Sequence, residues 1–220
     1  MRTNAGFSLI EMLVVLAVVG ALLATIAPAA FTFINDSRTK QAQNDANQIA
    51  TAVGKFMQDT ALLPYKNITT TPKVNAKQMG DFDCLYGGTN TTTVTTAFDG
   101  TTSPTLQWTS GSGVQCQNAS ATRDTIENHL ITNTPLGNTM KAYATTGKNA
   151  WRGPYLPSVA PDPWSNSYLI NVGKGDPSVA TKKAVFVISA GPNCRFETSA
   201  DAARASIVTA AGDDIIARIQ

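Results

Sequence analysis

The sequence predicts an α+β fold, in which one long, kinked N-terminal helix packs on a small antiparallel sheet in a head domain. An apolar segment over residues 7–34 is followed by a stretch in which apolar side chains recur every three or four positions, the spacing of a helix with one buried face. Short apolar runs between turn residues follow over residues 150–215 and indicate strands. A helical part followed by a strand-rich part is typical of the α+β class.

The composition restricts the function before any motif is considered. Charged residues make up 15% of the 220 positions and the net charge is +2, whereas roughly 25% charged residues is usual for a soluble domain. No cluster of Lys and Arg is present, so we expect no nucleic-acid partner. The motifs Gly-x-Ser-x-Gly, His-Glu-x-x-His and Gly-x-x-x-x-Gly-Lys are absent as well. We therefore predict that the chain is not an enzyme.

The apolar segment is long enough to cross a membrane. Its 21 positions before Pro28 span about 30 Å as a helix, the thickness of one hydrocarbon core. We expect the helix to kink near Pro28 and to continue to Asp59, because Pro64 disfavours helical geometry in the residue before it. One residue breaks the apolar character early in the segment: the carboxylate of Glu11 opposes membrane insertion.

Three interpretations of the segment stay open from the residues alone. It is an ordinary signal peptide cleaved near Ala29, a plain membrane anchor, or a helix that first spans the membrane and then forms the core of an assembly. Glu11 lies where a signal peptide should be positively charged, which disfavours the first interpretation. In an assembly the acid can pair with a positive group of a neighbouring copy, because an unpaired charge in a low dielectric is costly.

The N-terminal stretch Gly6-Phe7-Ser8-Leu9-Ile10-Glu11 resembles the processing site of type IV prepilins and of the pseudopilins of type II secretion. The resemblance implies that a prepilin peptidase cuts between Gly6 and Phe7 and methylates the amine of Phe7. It also implies that the chain polymerises, with Glu11 neutralising the amine of an adjacent subunit. Pro28 stands at the family's proline position, 21 residues beyond Phe7.

The same resemblance divides the chain. Residues 1–6 become the leader peptide, residues 7–34 the transmembrane and filament-core helix, and residues 35–220 a periplasmic or extracellular head with the pilin fold. Within the head we expect an amphipathic helix over residues 35–59, a variable Thr-rich insert over 65–120, and the sheet with its loops over 150–215. The implied partners are a prepilin peptidase, an inner-membrane assembly platform with its ATPase, and minor pilins or pseudopilins.

Two motifs in the head resemble the major pseudopilin of type II secretion. The first is Trp151-Arg-Gly-Pro-Tyr155, and the second is Asp162-Pro-Trp-Ser-Asn-Ser-Tyr168, in which Ser165 replaces the family's usual Gly. We expect Trp151, Tyr155 and Trp164 in the core, with subunit contacts as the alternative role.

The stretches Ser189–Asn193 and Gly212–Ile215 resemble the start and the end of a loop that wraps a calcium ion in this family, so the resemblance implies a calcium site in residues 189–215, named here the acidic loop. We expect oxygen ligands from residues of this loop, since Ca²⁺ prefers carboxylates, amides and backbone carbonyls. Two departures from the family stand against it: Asn193 where Asp is frequent, and Cys194 where Gly is usual. The alternative is a pair of solvated carboxylates. The candidate ligands are Asn193, Asp201, Asp213 and Asp214.

The cysteines and the single histidine carry weaker signals. In an oxidising compartment Cys84 and Cys116 are the most local pair, which leaves Cys194 alone, whereas in a reducing compartment all three are small buried apolar groups. His129 has no Cys, Asp or Glu at a ligand spacing, so we expect it at the surface or in a capping position.

The sequence thus predicts a structural filament subunit that needs no cofactor other than an optional structural calcium. The filament is a pseudopilus that drives type II secretion or, as the alternative, a type IV pilus for adhesion, motility or DNA uptake. The interpretation from a different class is a soluble exported protein with a cleaved signal peptide. The precursor is expected in the bacterial inner membrane, and the filament in the periplasm or outside the cell.

Overall fold

The computed structural model describes residues 8–61, 84–87, 108–110, 113–116, 123–172, 184–198 and 210–219. Most of the predicted Thr-rich insert, together with Gly6, Phe7 and Asp201, lies outside these ranges. The chain divides into two units, Met1–Lys40 and Gln41–Gln220.

Helix α1 covers Leu9–Thr60 and includes Pro28. Its first part is apolar and exposed: a window of 18 residues has a mean hydropathy of 2.6 and no buried residue. By length and composition, α1 can therefore cross a membrane. Its end at Thr60 lies one residue beyond the predicted end at Asp59.

The described strands form one five-stranded sheet and one separate hairpin. The order in the sheet is β4-β1-β5-β6-β7, and β2 pairs with β3. The pairs β1–β5, β5–β6 and β6–β7 are antiparallel, whereas β1 and β4 run parallel. The predicted α+β fold is confirmed, with a mixed sheet in place of a purely antiparallel one. The strands are β1 Cys84–Gly87, β2 Trp108–Ser110, β3 Gly113–Cys116, β4 Arg123–Thr125, β5 Tyr168–Ile170, β6 Phe186–Ser189 and β7 Ile215–Arg218.

Both faces of the sheet are buried among the described residues. On one face α1 contributes a stripe that includes Val53 and Phe56, which joins Tyr168 and Ile170 of β5 in the larger core cluster. On the other face Leu169 packs with Cys84, Phe186 and Ile188. The alternation of Tyr168, Ile170 and Val172 in the sequence predicts a strand that is buried on one face only. The structure differs, because burial on both faces lets β5 be apolar at all three positions.

Polar contacts fix the helix against the sheet at its first buried turns. The Gln43 side-chain amide donates to the Ile216 carbonyl on β7 at 3.1 Å, and the Tyr168 hydroxyl donates to Asp45 Oδ2 at 3.4 Å. The register between helix and sheet is thereby specified by directional bonds as well as by apolar burial.

The Trp151–Tyr155 motif folds onto itself and onto α1. The Trp151 and Tyr155 rings meet edge to face with centroids 5.7 Å apart, and Tyr155 meets Phe56 of α1 at 5.9 Å. Trp151 and Tyr155 are partly buried against the larger core cluster. Trp164 is half-buried and belongs to neither of the two clusters formed by the described residues.

Substitution of Gly153 by alanine should destabilise the protein, because an added Cβ would overlap the Trp151 ring. We expect a loss of about 1–3 kcal/mol in the free energy of unfolding, the usual cost of overpacking. Denaturant titration followed by tryptophan fluorescence measures it. The matched control is Gly54→Ala, which has open space around the new Cβ on a helix and should be neutral or stabilising. An equal effect of both substitutions would contradict the packing argument.

His129 is buried, so the expectation of a surface or capping position is wrong. The ring is 0% exposed; Nε2 lies 2.9 Å from Asp124 Oδ2 and Nδ1 lies 2.6 Å from the Tyr143 hydroxyl. The short helix α2, Ile126–Leu130, presents His129 to the interior, and the Trp151 indole donates to the His129 carbonyl. Tyr143 comes 14 positions later in the chain, so no local sequence pattern signals this network.

Candidate functional site

The N-terminal candidate site centres on Glu11 in the first turn of α1. Its Oε2 accepts a hydrogen bond from the backbone N–H of Ser8 at 2.9 Å. A carboxylate that reaches back three residues to the N–H before a helix is the Glu half of a capping box. The Ser-x-x-Glu spacing of residues 8–11 is therefore a sequence signal for this contact, which sequence reasoning missed.

Apolar side chains lie beside this exposed carboxylate. Ile10, Val14 and Val15 line a cleft of about 340 Å³ together with Glu11. The large side chains of the segment are open to their surroundings: Leu9 is 81% exposed and Leu16 is 67% exposed. A surface of this kind is suited to hydrocarbon or to the same surface on other copies, and it carries one acid that needs a partner there.

The second motif of the head forms a turn around Asp162. Its Oδ1 accepts from the N–H groups of Trp164 and Asn166 at 3.0 and 2.7 Å, and its Oδ2 accepts from Ser189 Oγ at 2.6 Å. Burial raises the pKa of Asp162, against the lowering effect of these hydrogen bonds. The Asp162–Asn166 turn thus connects the start of β5 to the end of β6, and its role is structural.

Two positions at which the major pseudopilin, which the head motifs resemble, usually has Gly have left-handed backbone geometry in this chain. Ser165 has φ of 69° and Cys194 has φ of 58°. Left-handed geometry costs a residue with a Cβ about 1–2 kcal/mol, which explains why glycine suits these positions.

Substitution of Ser165 by glycine should therefore stabilise the head. We expect a gain of about 0.5–1 kcal/mol in the free energy of unfolding, because the relief of strain exceeds the entropy that glycine adds to the unfolded chain. Chemical denaturation measures the gain. Ser158→Gly serves as control, since Ser158 is exposed and is not among the described residues with positive φ. A loss of stability in Ser165→Gly would refute the strain.

The acidic loop brings together two of the four predicted calcium ligands as side chains. Asp213 Oδ2 accepts from the N–H of Asn193 at 2.9 Å, and Asp214 Oδ2 accepts from the N–H groups of Glu197 and Thr198 at 2.8 and 2.6 Å. Each aspartate uses one oxygen in this way. The other oxygens, Asp213 Oδ1 and Asp214 Oδ1, are buried and have no hydrogen-bond partner among the described residues.

Two glycines let the loop close around these carboxylates. A Cβ on Gly212 would overlap the carboxylate of Glu197, which occupies that space. A Cβ on Gly191 would likewise overlap the backbone carbonyl of Asp213, and both glycines have positive φ. Glu197 therefore belongs to the acidic loop, although the candidate ligand set did not include it.

The electrostatics of the loop are unfavourable in the absence of a cation. Burial raises the pKa of Asp214, and the negative charge of Glu197 raises it further, while hydrogen bonds from Thr198 and Glu197 oppose the shift. A bound cation would supply the missing partner for the buried oxygens. Within the described ranges, no three His, Cys, Asp or Glu side chains are arranged to hold a metal ion. The predicted ligand Asp201 lies outside the described residues.

The cysteines differ in state. Cys84 is disulfide-bonded, and Cys194 is a free thiol whose sulfur accepts from the Asn166 side-chain amide at 3.4 Å. Cys116 lies on β3, and its side chain is outside the described part of the chain. The Cys84–Cys116 pairing stays a prediction.

Comparison with known families gives one match at the N-terminus. Residues 1–27 match the family described as the prokaryotic N-terminal methylation motif. Comparisons with curated proteins and with solved structures gave no match. The matched residues include Gly6, Phe7 and Glu11, so the motif implies processing by a prepilin peptidase and polymerisation into a filament. Together with the exposed apolar part of α1, the match supports a type IV pilin-like family and an inner-membrane precursor.

Proposed function

We propose that this chain is a structural subunit of a pseudopilus that drives protein export in type II secretion. The peptidase removes residues 1–6 and methylates the amine of Phe7, and the mature subunit then leaves the membrane and joins a helical homopolymer. The observation that carries the proposal is the exposed apolar part of α1 with a single acid, Glu11, inside a matched methylation motif.

In this proposal Glu11 has one partner in the single subunit and gains a second in the filament. In the single subunit it accepts from the Ser8 N–H of its own chain, which lowers the cost of holding a carboxylate among apolar side chains. In the filament it also neutralises the amine of Phe7 in the adjacent subunit. A subunit that docks in a shifted register leaves both charges buried without a partner, and breaking such a pair costs about 3–5 kcal/mol. The pair thereby sets the axial register.

Our reason for proposing the pseudopilus over the pilus is the sequence resemblance of two head motifs to the major pseudopilin. The Trp151–Tyr155 and Asp162–Tyr168 motifs, which resemble the major pseudopilin, are part of the packing described above: the first covers Phe56 of α1, and the second fixes the end of β6 through Ser189. The second candidate is a type IV pilus subunit, favoured by the Thr-rich insert over residues 65–120. The further partners we propose are an assembly platform with its ATPase and minor subunits of the same class.

Mass spectrometry of the mature N-terminus tests the filament proposal. We expect an N-methylated Phe7. A protein that begins at Ala30 or Phe31 would show that a signal peptidase released a soluble product, and would end the proposal. Deletion of the gene then separates the two candidates: loss of protein export without loss of surface fibres supports the pseudopilus, and the reverse supports the pilus.

We also propose that the acidic loop binds calcium as a structural ion. The two buried, unpartnered oxygens of Asp213 and Asp214 and the nearby carboxylate of Glu197 support it. Calcium accepts six to eight oxygen ligands in flexible geometry, so carboxylates mixed with backbone carbonyls suit it. Bound there, the ion would link the segment that ends at Thr198 to the start of β7.

A further inference from the structure

The carboxylate of Glu197 is folded back over the acidic loop, although the residue is exposed. Its backbone N–H donates to Asp214 Oδ2 at 2.8 Å, and its side chain occupies the space that a Cβ on Gly212 would fill. Burial is the main reason that the pKa of Asp214 is raised, and the negative charge of Glu197 raises it further. The two carboxylates are therefore close enough to repel each other.

The Glu197 carboxylate has no favourable partner among the residues that the structure describes. Within them, neither a hydrogen-bond donor nor a cation reaches its oxygens, and the exposed Arg195, two positions earlier, forms no ion pair with it. An exposed glutamate is free to turn toward water. Here it lies instead over Gly212, beside a buried aspartate of the same charge.

The buried oxygens of the two aspartates are an independent sign of a cation. Asp214 is 5% exposed, and its Oδ1, like Asp213 Oδ1, is buried without a hydrogen-bond partner in the described part of the chain. A buried polar atom without a partner is costly, and a bound cation supplies that partner. The predicted ligand Asn193 is less suited to complete the set, because its Oδ1 already accepts from the Arg195 N–H at 2.7 Å.

We propose that Glu197 supplies the third negative charge of the calcium site and raises its affinity, and that Gly212 leaves the space which this carboxylate needs. The inference rests on the calcium binding proposed above and deepens it by naming a residue that sets the affinity. Calcium sites are tuned by the number of charged groups around the ion. Since no three acidic side chains of the described ranges are arranged as direct ligands, Glu197 acts through its charge beside an ion held by the two aspartates.

Calcium titration of the detergent-solubilised full-length chain, followed by the shift in the thermal unfolding midpoint, tests the role of Glu197. Glu197→Gln keeps the backbone N–H that donates to Asp214 and removes only the charge. Its Kd for calcium should rise at least tenfold, while its unfolding midpoint in chelator should not fall below that of the wild type, as it would if the role were merely structural. Asp36→Asn, which removes an exposed acid from the other unit, should bind calcium as the wild type does.

Gly212→Ala tests the second part of the inference, with Gly137→Ala as its control. The two glycines have φ of 61° and 67°, so alanine strains the backbone at both positions. A Cβ at position 212 displaces the Glu197 carboxylate, whereas nothing lies within 4 Å of a Cβ at position 137. The Kd for calcium should therefore rise in Gly212→Ala and stay unchanged in Gly137→Ala.

A wild-type Kd in Glu197→Gln, or an equal change of Kd in the two alanine variants, would overturn the inference and leave the calcium proposal standing. A wild-type chain whose unfolding midpoint does not respond to calcium would overturn both. The filament proposal depends on neither result, because it rests on the N-terminal motif and the exposed apolar part of α1.

Discussion

Replacement of Glu11 by alanine or by glutamine is expected to reduce fibre assembly by at least tenfold. Glutamine keeps a side-chain carbonyl that can accept from the Ser8 N–H, as Glu11 does at 2.9 Å, but it removes the charge. If the charge pair between subunits sets the register, both variants lose about 3–5 kcal/mol per contact and both fail. Imaging of fibres on cells that overexpress the chain, with the amount of membrane-inserted subunit determined by immunoblot, measures the effect.

Asp36→Asn provides the matched control for Glu11. It removes an exposed acid from the same helix, outside the most apolar part, and should assemble as the wild type does. Normal fibres from Glu11→Gln together with none from Glu11→Ala would show that capping of α1, and not the charge, is what assembly requires. Normal fibres from both variants would refute any role for Glu11 in assembly.

The second large expected effect concerns Asp214→Asn, whose stability relative to the wild type should reverse when calcium is added. In a chelator, the variant should be at least as stable as the wild type, because it removes a buried charge beside Glu197 and keeps an oxygen that accepts from the Glu197 and Thr198 N–H groups. With calcium at 100 times its dissociation constant, the wild type should gain about 2.7 kcal/mol and the variant should not. Thermal unfolding of the detergent-solubilised chain measures both.

Asp162→Asn is the control for this reversal. Asp162 is also buried with a raised pKa, but both its oxygens accept hydrogen bonds, so no cation is needed there. Its effect on stability should be the same with and without calcium. An equal response of the wild type and Asp214→Asn to calcium would refute the proposed site.

The pH dependence in the absence of calcium has a definite sign. Burial raises the folded-state pKa of Asp162 and Asp214 above the ordinary 3.8. The folded state then binds more protons than the unfolded state between that value and the raised pKa, so these groups lower stability as the pH rises through this window. Asp214→Asn should remove the Asp214 part of the slope, and calcium should remove it in the wild type.

Local patterns in the sequence determined the elements that depend on local chemistry. The apolar run and the recurrence every three or four residues predicted α1, because a helix places those side chains on one face. The short apolar runs over residues 150–215 predicted antiparallel strands, which the structure places at β5 and β6. The left-handed backbone at Ser165 and Cys194, in contrast, was not predicted and is known only from the structure.

The tertiary structure alone decided which distant groups meet. The parallel pair β1–β4, the buried contacts of His129 with Asp124 and Tyr143, and the place of Glu197 beside Gly212 join residues whose sequence spacing carries no period. The same holds for burial, which leaves Met140 exposed and the Oδ1 atoms of Asp213 and Asp214 without a partner. The physical reason is that local geometry follows from neighbours along the chain, whereas burial and the pairing of polar groups depend on what the rest of the fold brings to cover them.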